Sequence, residues 1–173
     1  MGILSGNPKD EPMHYGEVSA VWAAALSAKS LASCYSTLLN HAGDEDLKKL
    51  IEEAITLGQA EATALDQVLK ENGVGLPPAP PERPKANIND IPVGARFQDP
   101  EIAAFISRDI GIGLTSVSMA MAQCIREDIA AMFWKWHAAQ VKLGGEFLKL
   151  NKEKGWIVVP PLHLEQRELV GAR

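Results

Sequence analysis

Apolar residues recur every three or four positions along four long stretches of this chain. In the first stretch, for example, Val18, Ala25, Ala32 and Leu39 follow one another at intervals of seven residues. Spacing of this kind places the apolar side chains on one face of an α-helix. We therefore predict helices over residues 12–42, 45–72, 100–123 and 127–154, within a single all-α domain.

The second and fourth predicted helices begin and end with similar residues. Each opens with two acidic residues and an aliphatic one, and each closes with Lys and Glu shortly before a Gly, as is typical of helix ends. The matching positions lie 82 residues apart, at 45 and 127 for the start and at 73 and 155 for the glycine. This match indicates an internal repeat, in which each copy is one helical hairpin.

The connecting segments predict how the two hairpins are joined. The tight Gly43-Asp44 turn makes the first two helices antiparallel neighbours. Residues 73–99 contain six prolines, which favour an extended crossover of about 3 Å per residue, enough to return along a helix of about 40 Å. The predicted fold is therefore a ferritin-like four-helix bundle of two antiparallel hairpins joined by a long Pro-rich crossover.

Two boundaries depend on weaker signals. Neither Gly nor Pro separates the third helix from the fourth, so the repeat alone predicts a break near residues 123–126. The tail, residues 156–173, begins with an apolar run that we expect to pack over one end of the bundle. Residues 164–170 are expected to add a short helix.

The composition argues against several classes of protein. A net charge of −5 and a pI near 5.4 are unlike those of a general nucleic-acid binder. The chain contains no apolar run of about 20 residues and no basic segment before an early apolar run, so we expect neither a membrane span nor a secretory signal. Synthesis in the cytoplasm is therefore expected, with Cys34 and Cys124 as free thiols near opposite ends of the bundle.

A ferritin-like bundle raises the question of a dimetal carboxylate centre. Such a centre needs a Glu from each of two helices and a Glu-x-x-His motif from each of the other two. The candidate ligands are His14, Glu17, Glu61 and His137, but Trp134 stands where the motif before His137 requires Glu. The complete motif is absent, and we predict no cofactor and no enzymatic activity. The alternative is a metal-binding or redox bundle with an atypical site for Fe, Mn or Zn.

Glu61 is the most informative of these candidates, because it falls within the apolar stripe of its helix. Its ordinary interpretation is an interior acid paired with Lys, Arg or His from another helix. A third possible function is a bundle that binds a small ligand. An enclosed apolar cavity near Trp136 and Glu61 would be its sign.

Two helices carry apolar residues outside their core stripes. In the fourth helix Trp134, Ala138, Val141, Gly145 and Leu148 form a second line, and in the third helix Ile112 and Met119 lie off the stripe. An apolar face left over when a bundle closes is typical of a partner surface. We predict self-association through these faces, most simply as a homodimer. Packing by the crossover or the tail is the alternative.

Several segments resemble a known family. They are Leu-Ser-Gly-Asn-Pro-Lys-Asp-Glu-Pro at residues 4–12, Gly-Glu-Val at 16–18, Arg-Glu-Asp-Ile at 126–129 and Lys-Gly-Trp-Ile-Val-Val-Pro-Pro at 154–161. The chain resembles a largely uncharacterised family of ferritin-like bundles from spore-forming bacteria related to spore coat protein F. The resemblance implies the bundle fold, a non-enzymatic structural role on the spore surface and other coat proteins as partners. It implies no catalytic residues.

Overall fold

A computed structural model describes residues 11–163 of the chain, and in that part every regular element is helical. The helices are α1 (Tyr15–His41), α2 (Glu45–Glu71), α3 (Asp99–Gln123) and α4 (Glu127–Glu153), with two short 3-10 turns at Ile88–Asp90 and Val93–Ala95. The all-α four-helix bundle is confirmed. α1 begins after residue 12 because His14 is the N-cap, its Nδ1 accepting a hydrogen bond from the Gly16 amide at 3.0 Å.

The helices form two hairpins that lie side by side. α1 packs mainly against α2 and α3 mainly against α4, while α1 also contacts α3 and α2 contacts α4. Asp99, at the start of α3, bonds the turn between α1 and α2, so the crossover has carried the chain back to the opposite end of the bundle. The predicted course of two antiparallel hairpins joined by one long crossover is therefore present.

The internal repeat extends to contacts between the hairpins. α2 and α4 each contain 27 residues, and Gly73 and Gly155 have the same positive φ of 69°. At one end of the bundle Asp99 accepts hydrogen bonds from the Gly43 and Asp44 amides. At the other end Glu17 accepts them from Ile125 and Arg126. Each residue of the first contact lies 82 positions from its counterpart in the second (17 and 99, 43 and 125, 44 and 126).

The two glycines provide a direct test of this equivalence. At positive φ, Cβ crowds the backbone and costs about 1–2 kcal/mol, and no other atom lies within 4 Å of the space that a Cβ would fill at either position. We therefore expect Gly73→Ala and Gly155→Ala to lower the free energy of unfolding by about 1 kcal/mol each. Urea unfolding of both variants checks this. A clearly unequal loss would contradict the equivalence of the two turns.

The Pro-rich crossover lies along the outer face of α1. Side chains of α1 donate hydrogen bonds to carbonyls of the crossover, because an extended segment leaves its polar backbone groups in need of partners. The bonds are Trp22 Nε1 to Gly75 at 3.1 Å, Lys29 Nζ to Pro77 at 2.9 Å, Ser33 Oγ to Pro81 at 3.5 Å and Asn40 Nδ2 to Pro84 at 3.0 Å. This ladder holds the crossover against α1 rather than against the outer face of α4.

The core consists of two apolar clusters, one in each half of the bundle. One is built around Ile51, Ile106 and Phe147, and the other around Leu65 and Phe133. Between them lie small or polar residues: Ala28, Gly58, Glu61, Gly113 and Gln140. The middle of the bundle therefore contains a buried acid and an amide beside residues with little or no side chain.

The C-terminal tail follows the expectation only at its first residue. Trp156 packs against the core cluster near the end of α4, but Val158, Val159 and Leu162 are exposed. The expected packing of the apolar run over the bundle end is wrong beyond Trp156, because the backbone bonds that hold the described tail to α4 end at the Ile157 amide. The short helix expected over residues 164–170 lies outside the described residues.

One segment, Val93–Gln123, has the length and apolar composition of a candidate membrane span. It contains α3. The core helices of bundles have the same properties, and α3 contributes Ile102, Ala103 and Ile106 to the core.

Candidate functional site: a cavity between the hairpins and an exposed helix face

His14 and Glu17 lie at the end of the bundle where the turn between α3 and α4 meets α1. Glu17 is 1% exposed, and its carboxylate accepts three backbone hydrogen bonds, from Ile125 and Arg126 at 2.8 Å each and from His14 at 3.1 Å. The Nε2 atom of His14 lies 3.1 Å from the Gln123 carbonyl. Both candidates thus cap helix ends and join the hairpins.

Arg126 is a buried residue of this end that sequence reasoning missed. Its guanidinium bonds Asp128 at 2.7 and 3.1 Å, the Asn72 side chain at 2.9 Å and the Glu11 carbonyl at 3.1 Å. Asp128 raises the pKa of Arg126, and the guanidinium lowers the pKa of Asp128 in turn. Nothing in the sequence indicated this role, because acidic residues such as Asp128 are expected in the first turn of any helix.

Glu61 lies in the middle of the bundle, at the floor of a cavity of about 520 Å³ between α1 and α3. We call this space the inter-hairpin cavity. Gln140 and Asp109 also line it, and Gln140 Oε1 is buried without a hydrogen-bond partner among the described residues. A Cβ at Gly113 would come within 2.8 Å of that oxygen, so the glycine makes room for the amide.

Burial raises the pKa of Glu61 to about 7, and a hydrogen bond from Gln140 opposes part of the rise. The residue is 7% exposed, and no cation among residues 11–163 contributes to its pKa. The expected pairing with Lys, Arg or His is therefore wrong. Lys29 on α1 does not pair with Glu61, because it forms an ion pair with Asp66 at 2.8 Å and donates a hydrogen bond to the Pro77 carbonyl.

The metal-ligand candidates do not converge. His14 and Glu17 lie at one end, Glu61 lies in the middle, and His137 is half-buried on α4 beside Trp136. Within the described part of the chain, no three His, Cys, Asp or Glu side chains are grouped as they would be around a metal ion. Of the metal-ligand candidates, only Glu61 lines the inter-hairpin cavity, together with the acid Asp109 and the amide Gln140.

The two cysteines are free thiols that lie in different halves of the core. Burial raises the pKa of Cys34 and raises that of Cys124 to about 11. Neither thiol is therefore activated as a nucleophile near neutral pH.

The predicted interface residues divide between two surfaces. Ile112 and Met119, each 58% exposed, stand at the mouth of the inter-hairpin cavity. Trp134, Val141 and Leu148 are 66%, 51% and 46% exposed on the outer face of α4. Exposed small residues alternate with them to give one line, which we call the α4 seam: Ala131, Trp134, Ala138, Val141, Gly145 and Leu148.

Fold and site together define an all-α bundle of two equivalent hairpins with a cavity between them and an exposed apolar seam on α4. The chain belongs to the DUF3231 family, a family of proteins of unknown function, whose model matches residues 1–169. It is 52% identical over 166 residues to the uncharacterised protein YvdQ of Bacillus subtilis strain 168, covering 96% of this chain and 98% of that protein.

A solved structure is also similar over most of the chain. It is the crystal structure, at 1.54 Å resolution, of a protein from Bacillus halodurans C-125 described as a "putative spore coat protein". The two share 55% sequence identity and a TM-score of 0.90, and the match covers 92% of this chain and 100% of the other. A relationship to spore coat protein F stays a prediction.

Proposed function

We propose that this protein is a non-enzymatic, spore-coat-associated structural protein that assembles through the α4 seam with a second copy of itself. The description of the Bacillus halodurans relative supports the association with the coat. The seam supports assembly, because six exposed apolar or small residues follow one another at alternating intervals of three and four. This spacing is that of a coiled-coil contact.

The order of residues in the seam is self-complementary. In an antiparallel pair related by a two-fold axis between positions 138 and 141, Trp134 faces Gly145, Val141 faces Ala138 and Leu148 faces Ala131. Each layer then pairs one bulky residue with one small residue. Small residues let helices approach closely, and alternating large with small residues fills the contact without overpacking.

The lysines that follow the bulky seam residues are already engaged within their own helix. Lys142 lies 3.6 Å from Glu146, Lys149 lies 3.8 Å from Glu153, and Lys135 lies over the Trp136 ring. Their remaining repulsion across the two-fold axis is screened by salt. The proposed dimer therefore becomes tighter as ionic strength rises, which an interface held by ion pairs would not do.

A charge at the centre of the seam tests the assembly. We expect Val141→Glu to convert the dimer to a monomer at about 50 µM, because it buries like charges against an apolar layer. Multi-angle light scattering measures the mass. Ile112→Glu is the matched control, since Ile112 is similarly exposed but lies at the cavity mouth. A monomeric parent protein, or loss of the dimer in the control alone, would contradict the proposal.

An interchange within one layer tests the register. Ala138→Val and Val141→Ala should each weaken the dimer by about tenfold, the first by overpacking and the second by lost contact. The double variant restores one bulky and one small residue in each layer and should recover most of the parent affinity. Additive weakening in the double variant would rule out the antiparallel register.

Association with the coat is tested in sporulating cells. We expect a fluorescently tagged parent protein to collect at the surface of the spore and the Val141→Glu variant to do so less completely. A signal that stays uniform in the cytoplasm through sporulation would contradict the structural role in the coat, whatever the oligomeric state.

A further inference from the structure

The inter-hairpin cavity is not part of the proposed dimer interface. Its two acidic residues and Gln140 lie at the floor, and apart from Ser27, Ser116 and Gln123 the rest of its lining is apolar or glycine. We propose that this cavity binds a small organic amine, with the protonated amino group at the Glu61–Gln140 floor and an apolar body along α1 and α3. This inference goes beyond the proposed function and is independent of it.

The oxygen atoms at the floor are hydrogen-bond acceptors. The Glu61 carboxyl faces the cavity, Gln140 Oε1 is buried without a partner in the described part of the chain, and Asp109 lines the same space. None of the described residues that line the cavity is Lys, Arg or His. An anionic ligand would therefore meet no compensating charge among the lining residues, whereas an ammonium group supplies the donor and the positive charge that the oxygens of Glu61 and Gln140 lack.

The walls fit an apolar body of modest size. α1 contributes Ala20, Ala23 and Ala24, and Ile112 and Met119 of α3 flank the mouth. A volume of about 520 Å³ lies within the range of small-molecule sites, roughly 300–1,000 Å³. The short alanine side chains create this space, because bulkier residues on α1 would close the gap between the hairpins.

The internal repeat shows that the polar floor is not required by the fold. The position equivalent to Glu61 is Leu143, and the position equivalent to Gln140 is Gly58, each 82 residues away. The pair Leu143 and Gly58 thus takes the positions equivalent to the buried acid and its amide neighbour, with one member of each pair on α2 and the other on α4. An uncompensated buried acid lowers stability, and departures of this kind are typical of binding sites.

The charged groups around the floor leave Glu61 available to a cationic ligand. On α1, Lys29 is held by Asp66 at 2.8 Å. On α3, Asp109 lies 3.4 Å from Arg108, whose side chain is largely exposed. α2 contributes Glu61 itself, and α4 contributes the neutral Gln140. The field at the floor is therefore negative.

Three probes of equal chain length test the class of ligand with the full-length protein. Isothermal titration calorimetry at pH 8 compares n-hexylamine, 1-hexanol and hexanoate. We expect hexylamine to bind with a dissociation constant on the order of 1 mM or lower, hexanol at least about tenfold more weakly, and hexanoate not at all. Equal binding of hexylamine and hexanol, preferred binding of hexanoate, or binding of Mn²⁺ or Zn²⁺ without binding of the amine would overturn the proposal.

Variants locate the site. Glu61→Gln should weaken hexylamine binding by about tenfold or more, and Ala24→Leu should block it by filling the cavity wall, with circular dichroism confirming that both variants are folded. Val141→Glu should bind hexylamine as the parent protein does, so a failure of the seam and a failure of the cavity are distinguishable. Unchanged affinity in both cavity variants would place the amine elsewhere and overturn the assignment.

Discussion

Replacing Glu17 by Ala is expected to lower the free energy of unfolding by about 3 kcal/mol, one of the two largest effects we predict. The Glu17 carboxylate is almost fully buried and accepts hydrogen bonds from the backbone amides of His14, Ile125 and Arg126. Removing it leaves these amides without their acceptor at the junction of the hairpins. Urea unfolding followed by circular dichroism measures the loss.

Asp99→Ala is the matched control, because Asp99 makes the equivalent contact at the other end of the bundle. That end is more exposed, and water can replace the lost acceptor for the Gly43 and Asp44 amides. We expect a loss of about 1 kcal/mol and near-additivity in the double variant, since the sites lie far apart. A Glu17→Ala variant as stable as the parent would show that its contacts do not hold the hairpins together.

The second large effect is a dependence of stability on pH that originates at Glu61. Its pKa rises from 4.5 to about 7 on folding, so between these values the folded protein binds more protons than the unfolded chain does. The contribution of Glu61 to stability is therefore greatest below about pH 4.5 and is lost as the pH rises through 7. The loss between pH 5 and pH 8 should be about 2–3 kcal/mol.

Glu61→Leu provides the comparison, because Leu occupies the equivalent position 143 in the other hairpin. The difference in unfolding free energy between the variant and the parent should increase by about 2–3 kcal/mol from pH 5 to pH 8, in favour of the variant. Urea titrations at pH 5, 6, 7 and 8 measure this difference and cancel the titration of other carboxyls. A difference independent of pH would mean that Glu61 titrates normally.

Glu17 and Glu61 are both buried acids, but they affect the stability of the fold in different ways. Both oxygens of Glu17 accept hydrogen bonds from the backbone, so its side chain stabilises the fold. Glu61 has no cation beside it among the described residues, so it weakens the fold at neutral pH and leaves a site for one. A buried glutamate side chain therefore stabilises the fold at the end of this bundle and destabilises it in the middle.

Much of the architecture could be predicted from local signals in the sequence. Apolar periodicity and end residues predicted four helices whose ends agree with the structure to within about three residues, as such local signals allow. The 82-residue repeat predicted the break after Gln123, where neither Gly nor Pro marks it. These features depend on neighbours in the chain, and so the residues themselves determine them.

The candidate site depended on contacts between residues far apart in the chain. The sequence singled out His14, Glu17 and Glu61 and the exposed line on α4, but not their environments. Only the folded structure decided that Glu17 caps the start of α4, 109 residues away, and that Arg126 is buried beside it. Only the folded structure showed that Gln140 lines the same cavity as Glu61, and that no basic side chain lines this cavity among the described residues. Helical periodicity predicts which face of a helix points inward. Which residues of other helices that face contacts depends on how the two hairpins pack, and the sequence alone does not determine that packing.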